Sequence, residues 1–181
     1  MSHLTDLTLI AQVVTLGSHR AFGQLVERHQ QPVRRFLLRL TAGDAMLADD
    51  LAQETFIRAW QGLNSFRGTA NLQTWLTSIA YRVFLDEQRK RRTFNDTPVE
   101  ELNNCPQQDE DSGSKGTKID IDTALATLSE AERTCVILQC IEGHSIKEIA
   151  AITDMNENTV KSHLARGKNN LAGFLRKNGY R

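Results

Sequence analysis

The sequence predicts an all-α protein with two small helical domains, residues 1–93 and 123–181, joined by a flexible acidic linker over 94–122. Three observations support this. Aromatic residues make up only 6% of the 181 residues and prolines number three, a composition that favours helices over sheets. Apolar residues recur at helical spacing in both outer segments. The middle segment holds two of the prolines and an acidic run, as flexible tethers do.

Charge is distributed unevenly along the chain, although its 22 basic and 22 acidic residues cancel. Residues 1–98 hold 12 basic and 9 acidic side chains, residues 99–122 hold 2 and 7, and residues 123–181 hold 8 and 6. Because attraction to phosphate is screened over about 8–10 Å, local patches matter more than the total. The neutral sum therefore does not exclude a nucleic-acid partner.

Export, membrane and metal signals are not found in the sequence. Asp6 precedes the first apolar run without a basic leader, and no apolar run approaches the roughly 20 residues of a membrane helix. Cys105, Cys135 and Cys140 are an odd number without disulfide or zinc spacing, and Cys140 falls on an apolar stripe. We expect three reduced thiols, with Cys135 and Cys140 buried, and no metal or cofactor, in a soluble cytoplasmic protein.

The N-terminal domain is predicted to contain three helices. The first carries an apolar stripe over residues 22–40 and ends before a Gly-Asp break, and the second covers residues 47–60. The third stripe consists of Phe66, Leu72, Trp75, Leu76, Ile79, Ala80 and Val83. Since Trp75 lies on this stripe, we expect it in the core rather than on a surface that stacks bases.

Two surfaces of this domain suggest binding. The second helix carries a ridge suited to a basic partner, formed by Asp49, Asp50, Gln53 and Glu54. The loop "NSFRGTAN" over residues 64–71 offers amides, hydroxyls and Arg67 beside Phe66, and the third helix runs into Arg82 and the basic run 89–92. Such groups could hold an unstacked base and a single-stranded backbone.

The C-terminal domain begins with a capping box, in which Ser129 and Glu132 satisfy each other's backbone amides. The helix that follows is predicted to end near Gly143. Four of its side chains are predicted to face the core: Val136, Ile137, Cys140 and Ile141.

A helix-turn-helix is predicted next. Ser145 and Glu148 form a second capping box, followed by the apolar positions Ile146, Ile149, Ala150 and Ile152. Asn156 would cap a third helix with a buried stripe of Val160, Leu164, Leu171 and Leu175. Ala150 and Val160 stand ten residues apart, which is typical of this motif, and Asp154 replaces the usual turn glycine.

The exposed face of the third helix is the predicted DNA-reading surface. It consists of Glu157, Asn158, Thr159, Lys161, Ser162, His163, Arg166 and Lys168. Residues near the helix start can reach base edges, whereas Arg166, Lys168 and also Lys161 suit phosphates. By itself "ENTVKSHL" resembles the output domain of response regulators as much as region 4 of sigma factors.

The N-terminal half distinguishes these two families. "DDLAQETFIRAW" and "SFRG…TWLTSIA" resemble region 2 of extracytoplasmic-function (ECF) sigma factors of the bacterial sigma-70 family, and the resemblance covers residues 20–92 and 128–175. It implies a subunit that directs RNA polymerase to promoters, with the β′ clamp helices, the β flap, promoter DNA and an anti-sigma factor as partners. The acidic linker is then expected to lie in the polymerase's basic channel.

The resemblance also implies roles for particular residues. The acidic ridge would bind core polymerase. The exposed face of the third helix of the C-terminal domain would read the minus-thirty-five element. Minus-ten contacts would come from Asn64, Ser65, Phe66, Arg67, Asn71, Arg82, Arg89, Arg91 and Arg92. Arg82 stands where the family often has Asn, so phosphate contact or base stacking is expected there. His163 stands where many relatives carry Arg.

Two other classes compete with this interpretation. A conventional helix-turn-helix activator or repressor would bind duplex DNA as a dimer, yet the sequence shows no coiled coil. A protein adaptor without DNA binding would leave the basic helix ends unexplained. No nucleophile elbow, phosphate-binding glycine loop or metal-ligand spacing indicates an enzyme.

Overall fold

The computed structural model describes residues 2–68, 71–95 and 121–179, and all their regular secondary structure is helical, which confirms the all-α prediction. The helices are α1 (Ser2–Leu16), α2 (His19–Leu40), α3 (Ala45–Gly62), α4 (Leu72–Asn95), α5 (Ile121–Ala126), α6 (Glu130–Val136), α7 (Ile146–Thr153) and α8 (Glu157–Lys177). Because α4 runs to Asn95 and α5 begins at Ile121, both ends of the predicted linker are helical; residues 96–120 lie outside the described residues. No helix in the described ranges is long and apolar enough to cross a membrane.

The N-terminal bundle is built from α1 to α4. Phe36 and Leu37 of α2 and Phe84 of α4 are almost fully buried in its core. Asp44 begins α3 by accepting a hydrogen bond from the Leu47 amide at 3.0 Å. Helix α1, which the sequence analysis did not assign, packs its buried face against α2.

The C-terminal unit contains the predicted helix-turn-helix. Ser145 opens α7 with a capping box, since its amide donates to Glu148 Oε2 at 2.8 Å. Asp154 ends α7 in the left-handed region at φ 57°, as expected for the residue that replaces the turn glycine. Asn156 then caps α8 by accepting a hydrogen bond from the Thr159 amide at 2.8 Å. Val160 is fully buried where α7 and α8 meet.

A π-helical turn over Ile137–Ile141 follows α6 and changes which side chains point towards the core. Cys140 and Ile141 were predicted to point inward, and this is wrong: Cys140 is exposed, and 38% of Ile141 is exposed. The wider turn rotates these residues off the stripe that Val136 and Ile137 follow. Leu175 was also predicted to be buried but is 36% exposed, because it lies with Cys140 and Ile141 at the rim of a surface groove.

The two cysteines should therefore differ in reactivity. Burial raises the pKa of the Cys135 thiol to about 11, so little reactive thiolate forms near neutral pH, whereas Cys140 is accessible. In a Cys105→Ser background at about pH 8, we expect iodoacetamide to label Cys140 in the native protein and Cys135 only after denaturation. Tandem mass spectrometry would locate the label, with Cys140→Ser as the control. Native labelling of Cys135 would contradict the assigned burial.

The two helical units pack against each other. The Arg133 guanidinium of α6 reaches across to α2 and donates to the Leu40 carbonyl at 3.1 Å. Arg39 also lies 3.8 Å from Glu142. Tyr81 of α4 is 3% exposed, and burial raises its pKa to about 12, while a hydrogen bond with Thr134 of α6 lowers it. The described units therefore share a buried interface.

Candidate polymerase and nucleic-acid interfaces

The ridge on α3 divides into paired and unpaired residues. Arg34 of α2 donates to both carboxylate oxygens of Asp49, with Nη2 3.3 Å from Oδ2. Arg58 Nε donates to Glu54 at 2.7 Å and its Nη1 to Asp86 at 2.6 Å. These internal pairs raise the pKa of both arginines. Asp49 and Glu54 are therefore partly neutralised within the chain.

The other two ridge residues are available to a partner. Asp50 and Gln53 are exposed and form no hydrogen bond or ion pair with the described residues. Beside Gln53 a hollow of about 540 Å³ is lined by Phe56 and by Ile57, which is 53% exposed. Sequence reasoning missed Ile57, although its position four residues after Gln53 places it on the same helical face. The surface thus combines an anionic edge with an apolar floor.

The loop over residues 64–71 is anchored by Ser65 and Asn71. Ser65 Oγ donates to the Gly62 carbonyl at 2.7 Å, and Asn71 Oδ1 accepts from the Thr74 amide at 2.7 Å, which caps α4. The Phe66 ring lies 5.3 Å from that of Trp75, and both rings are half-buried, so Trp75 packs against the core rather than offering a free stacking face. Asn64 and Arg67 are exposed.

The basic end of α4 presents exposed guanidinium groups. Arg89 lies 3.8 Å from Asp86, Arg91 lies 3.0 Å from Glu87, and Arg92 lies 3.3 Å from Glu130. Arg82 forms no ion pair or hydrogen bond with the described residues. Because exposed ion pairs contribute only about 0–1 kcal/mol, these cations can exchange their partners for phosphates.

The start of α8 is open to a ligand. Glu157, Asn158, Lys161 and Ser162 are exposed, and Thr159 and His163 are half-buried. An open hollow of about 600 Å³ lies beside the first turn of the helix. This is where a recognition helix of the helix-turn-helix class presents residues to a major groove.

The two cations further along α8 make internal contacts. Arg166 is exposed, with Nη2 3.3 Å from His163 Nδ1 and Nε 3.8 Å from Glu132. Lys168 Nζ donates to Gln139 Oε1 at 2.7 Å. The Arg166 and Lys168 side chains are themselves exposed, so either cation can turn towards a phosphate.

Comparisons with known proteins agree with this arrangement. The profile of sigma-70 region 2 matches residues 25–94, and that of sigma-70 region 4 matches residues 118–171. The ECF RNA polymerase sigma factor SigM of Mycobacterium tuberculosis is 33% identical over 171 residues, which cover 94% of this chain and 85% of the relative. The ECF RNA polymerase sigma-E factor of Haemophilus influenzae is 32% identical, covering 91% and 92%.

Solved structures agree as well. The sigma factor RpoE of Bartonella quintana, in complex with the anti-sigma factor NepR, matches with a TM-score of 0.68 and 30% identity over 86% of this chain and 96% of that one. CnrH in complex with the cytosolic domain of CnrY shares the fold, with a TM-score of 0.64 and 24% identity, covering 96% and 98%.

The two helical units and the two matching region profiles define a sigma factor of the sigma-70 class. Within that class, the chain belongs to the ECF RNA polymerase sigma factors. It is therefore a transcription initiation factor that directs RNA polymerase to promoters, and this family consists of initiation factors rather than enzymes.

Proposed function

We propose that residues 1–93 bind core polymerase and melt the minus-ten element, while residues 123–181 read the minus-thirty-five element and contact the β flap. The observation that carries this division is the presence of two separate candidate DNA surfaces, the 64–71 loop with the basic end of α4 and the first turns of α8, beside an acidic ridge that can dock on a protein. Since polymerase supplies most of the DNA contacts, local patches suffice on a chain with no net charge.

Core binding is assigned to the ridge on α3. Its exposed carboxylate at Asp50 and amide at Gln53 suit the basic surface of the β′ clamp helices, and the exposed Ile57 adds apolar area beside them. An apolar centre with a charged rim is the usual composition of a protein interface. Asp49 and Glu54 belong to the same surface, where Arg34 and Arg58 orient their carboxylates.

Minus-ten binding is assigned to the loop and α4. Arg67, Arg82 and the basic run 89–92 provide cations for the single-stranded backbone, and the loop provides polar groups and the Phe66 ring for an extruded base. Minus-thirty-five reading is assigned to the face of α8 predicted from the sequence.

Regulation by an anti-sigma factor is the third part of the proposal. The similar RpoE of Bartonella quintana was solved with such a partner. In this chain the two units pack together, and apolar side chains remain exposed on both, including Ile57 and Leu175. A partner that binds this closed arrangement would keep both DNA surfaces from engaging a promoter. We also propose that the protein acts in the cytoplasm, where core polymerase works.

The direct test is reconstitution. The full chain is mixed with bacterial core polymerase and a set of promoter templates selected by sequencing transcripts after overexpression. We expect promoter-dependent run-off transcripts with no other sigma factor present. A transcript that requires a second sigma factor would indicate an activator instead, and none under either condition would indicate an adaptor.

Two substitutions on α8 should separate sequence reading from general attraction. We expect His163→Ala to change the preference among minus-thirty-five variants, because His163 lies in the second turn of α8, on the face assigned to base reading. Lys168→Ala should weaken binding evenly and reduce the slope of affinity against salt concentration, because it removes one phosphate contact. Holoenzyme binding to a panel of promoter variants measures both.

The exposed Lys147 on α7 offers a control for the loss of charge. Lys147→Ala should leave both the preference and the salt slope nearly unchanged. Equal losses at every promoter variant for His163→Ala and Lys168→Ala would contradict the assigned roles.

A further inference from the structure

A cavity of about 190 Å³ lies under the base-binding loop and is bounded by three helices. Phe66 and Asn71 of the loop line it together with the start of α4. The opposite wall comes from α1, through Leu7 and Ile10, and His29 of α2 contributes as well. Its volume is below the roughly 300–1,000 Å³ of sites for drug-sized molecules, so it suits a single small ring system.

The cavity has the two kinds of surface that a nucleobase requires. Leu7 is 41% exposed and faces it from one side, while the Phe66 ring, held 5.3 Å from Trp75, bounds it from the loop. A base buries its flat faces against such apolar groups and is read along its polar edge. Ile10, which is 7% exposed, extends the aliphatic wall.

The polar end of the cavity is held by long-range hydrogen bonds. His29 lies between Gln73 and Asp6, with Nδ1 2.9 Å from Gln73 Oε1 and Nε2 3.1 Å from Asp6 Oδ2. Arg28 donates to Asp6 Oδ1 at 3.1 Å. These bonds tie α1, α2 and α4 together, so the walls are in place before a ligand arrives.

Helix α1 also approaches the loop itself. A Cβ atom built on Gly68 would lie 4.0 Å from Leu7 Cδ2, and Gly68 adopts a φ of +68° that favours glycine. Leu7 therefore lies near Gly68 of the loop as well as beside the cavity. Because Leu7 is 41% exposed, a ligand in the cavity can reach it.

We infer that α1 forms one wall of the pocket for the extruded minus-ten base, and that Leu7 is a specificity-determining residue that packs against this base. The inference rests on the proposed function of the 64–71 loop. Helix α1 begins 23 residues before the stretch matched by the region 2 profile, so this role extends the base pocket beyond the matched region.

The test uses holoenzyme and promoters that carry 2-aminopurine at each minus-ten position in turn. Wild type should raise the fluorescence at one position as that base leaves the stack. Leu7→Trp fills the cavity, so we expect this signal to disappear and open complexes to form at least about tenfold more slowly. Val14→Trp is the matched control, because Val14 lies on the same helix, is 43% exposed and does not line the cavity.

An abasic site at the responsive position separates base capture from misfolding. Without a base to insert, Leu7→Trp and wild type should open the promoter at the same rate. Leu7→Ala, which cannot clash, should reduce discrimination among the four bases at that position alone.

The outcomes distinguish base capture by the loop from the role of α1 in the pocket. No responsive position with wild type would refute base capture by the loop, and with it the proposed function of this region. A responsive position that neither Leu7 variant alters would overturn the role of α1 while leaving the loop's function intact. A defect of Leu7→Trp that persists on the abasic promoter would also overturn it, because the substitution would then act on the fold.

Discussion

Replacing Gly167 by alanine is expected to lower the free energy of unfolding by about 1–3 kcal/mol, as overpacking of a close helix crossing does. Helix α8 crosses α6 at this residue, and an added Cβ would lie 2.8 Å from Val136 Cγ2 and 3.4 Å from the Glu132 carbonyl oxygen. Val136 is 3% exposed and cannot move away. The helices would have to separate, which would also shift the neighbouring Arg166 and Lys168 on α8.

Urea unfolding of the full chain would measure this change. Far-ultraviolet circular dichroism follows both units, whereas intrinsic fluorescence follows only the N-terminal one, because Trp60 and Trp75 are the two tryptophans. We expect Gly167→Ala to shift the dichroism transition more than the fluorescence transition.

Gly173 on the same helix is the control for helix propensity. A Cβ there would meet no atom of the described residues within 4 Å, so Gly173→Ala should raise the free energy of unfolding by up to about 1 kcal/mol. If the two alanine substitutions acted alike, the close crossing of α6 and α8 would be refuted.

Reversing the charge of Asp50 should abolish most binding to core polymerase. Asp50 is exposed on the α3 ridge without a partner among the described residues, so Asp50→Lys would place a cation directly against a basic partner. Such like-charge contacts cost several kcal/mol, which corresponds to an affinity on the order of a hundredfold or more weaker. Titration of fluorescently labelled sigma factor with core polymerase, in the absence of DNA, would measure the effect.

Glu157→Lys makes the same change of charge on an exposed residue of α8 and should leave core affinity nearly unchanged. Within the ridge, Asp49→Ala should weaken binding less than Asp50→Ala, because Arg34 already neutralises part of the Asp49 charge. Full core affinity of Asp50→Lys would remove the ridge from the polymerase interface.

The sequence by itself determined the features that depend on local interactions. The capping box of Ser145 and Glu148, the left-handed Asp154 and the Asn156 cap each involve groups within three or four residues of one another, so their pattern in the chain is sufficient to predict them. The helical periodicity of α2 to α4 and of α8 follows from the same short-range geometry. Family membership followed from these elements and their motifs.

Only the tertiary structure decided which side chains of the α3 ridge are free to contact a partner protein. Arg34 pairs with Asp49, and Arg58 pairs with both Glu54 and Asp86, which lies 28 residues after Arg58 in the chain. Asp50 has no such partner among the described residues. The spacing of charges on α3 cannot reveal this, because the pairing depends on how α2 and α4 pack against it.

The same reason accounts for the errors and omissions. A regular 3.6-residue period placed Cys140 inside, but the π-helical turn after α6 rotates it to the surface. Leu7 of α1 and Phe66, which lies 59 residues later in the chain, line the same cavity. Periodicity describes one helix at a time, whereas cavities and crossings form between helices, and their geometry exists only once the chain has packed.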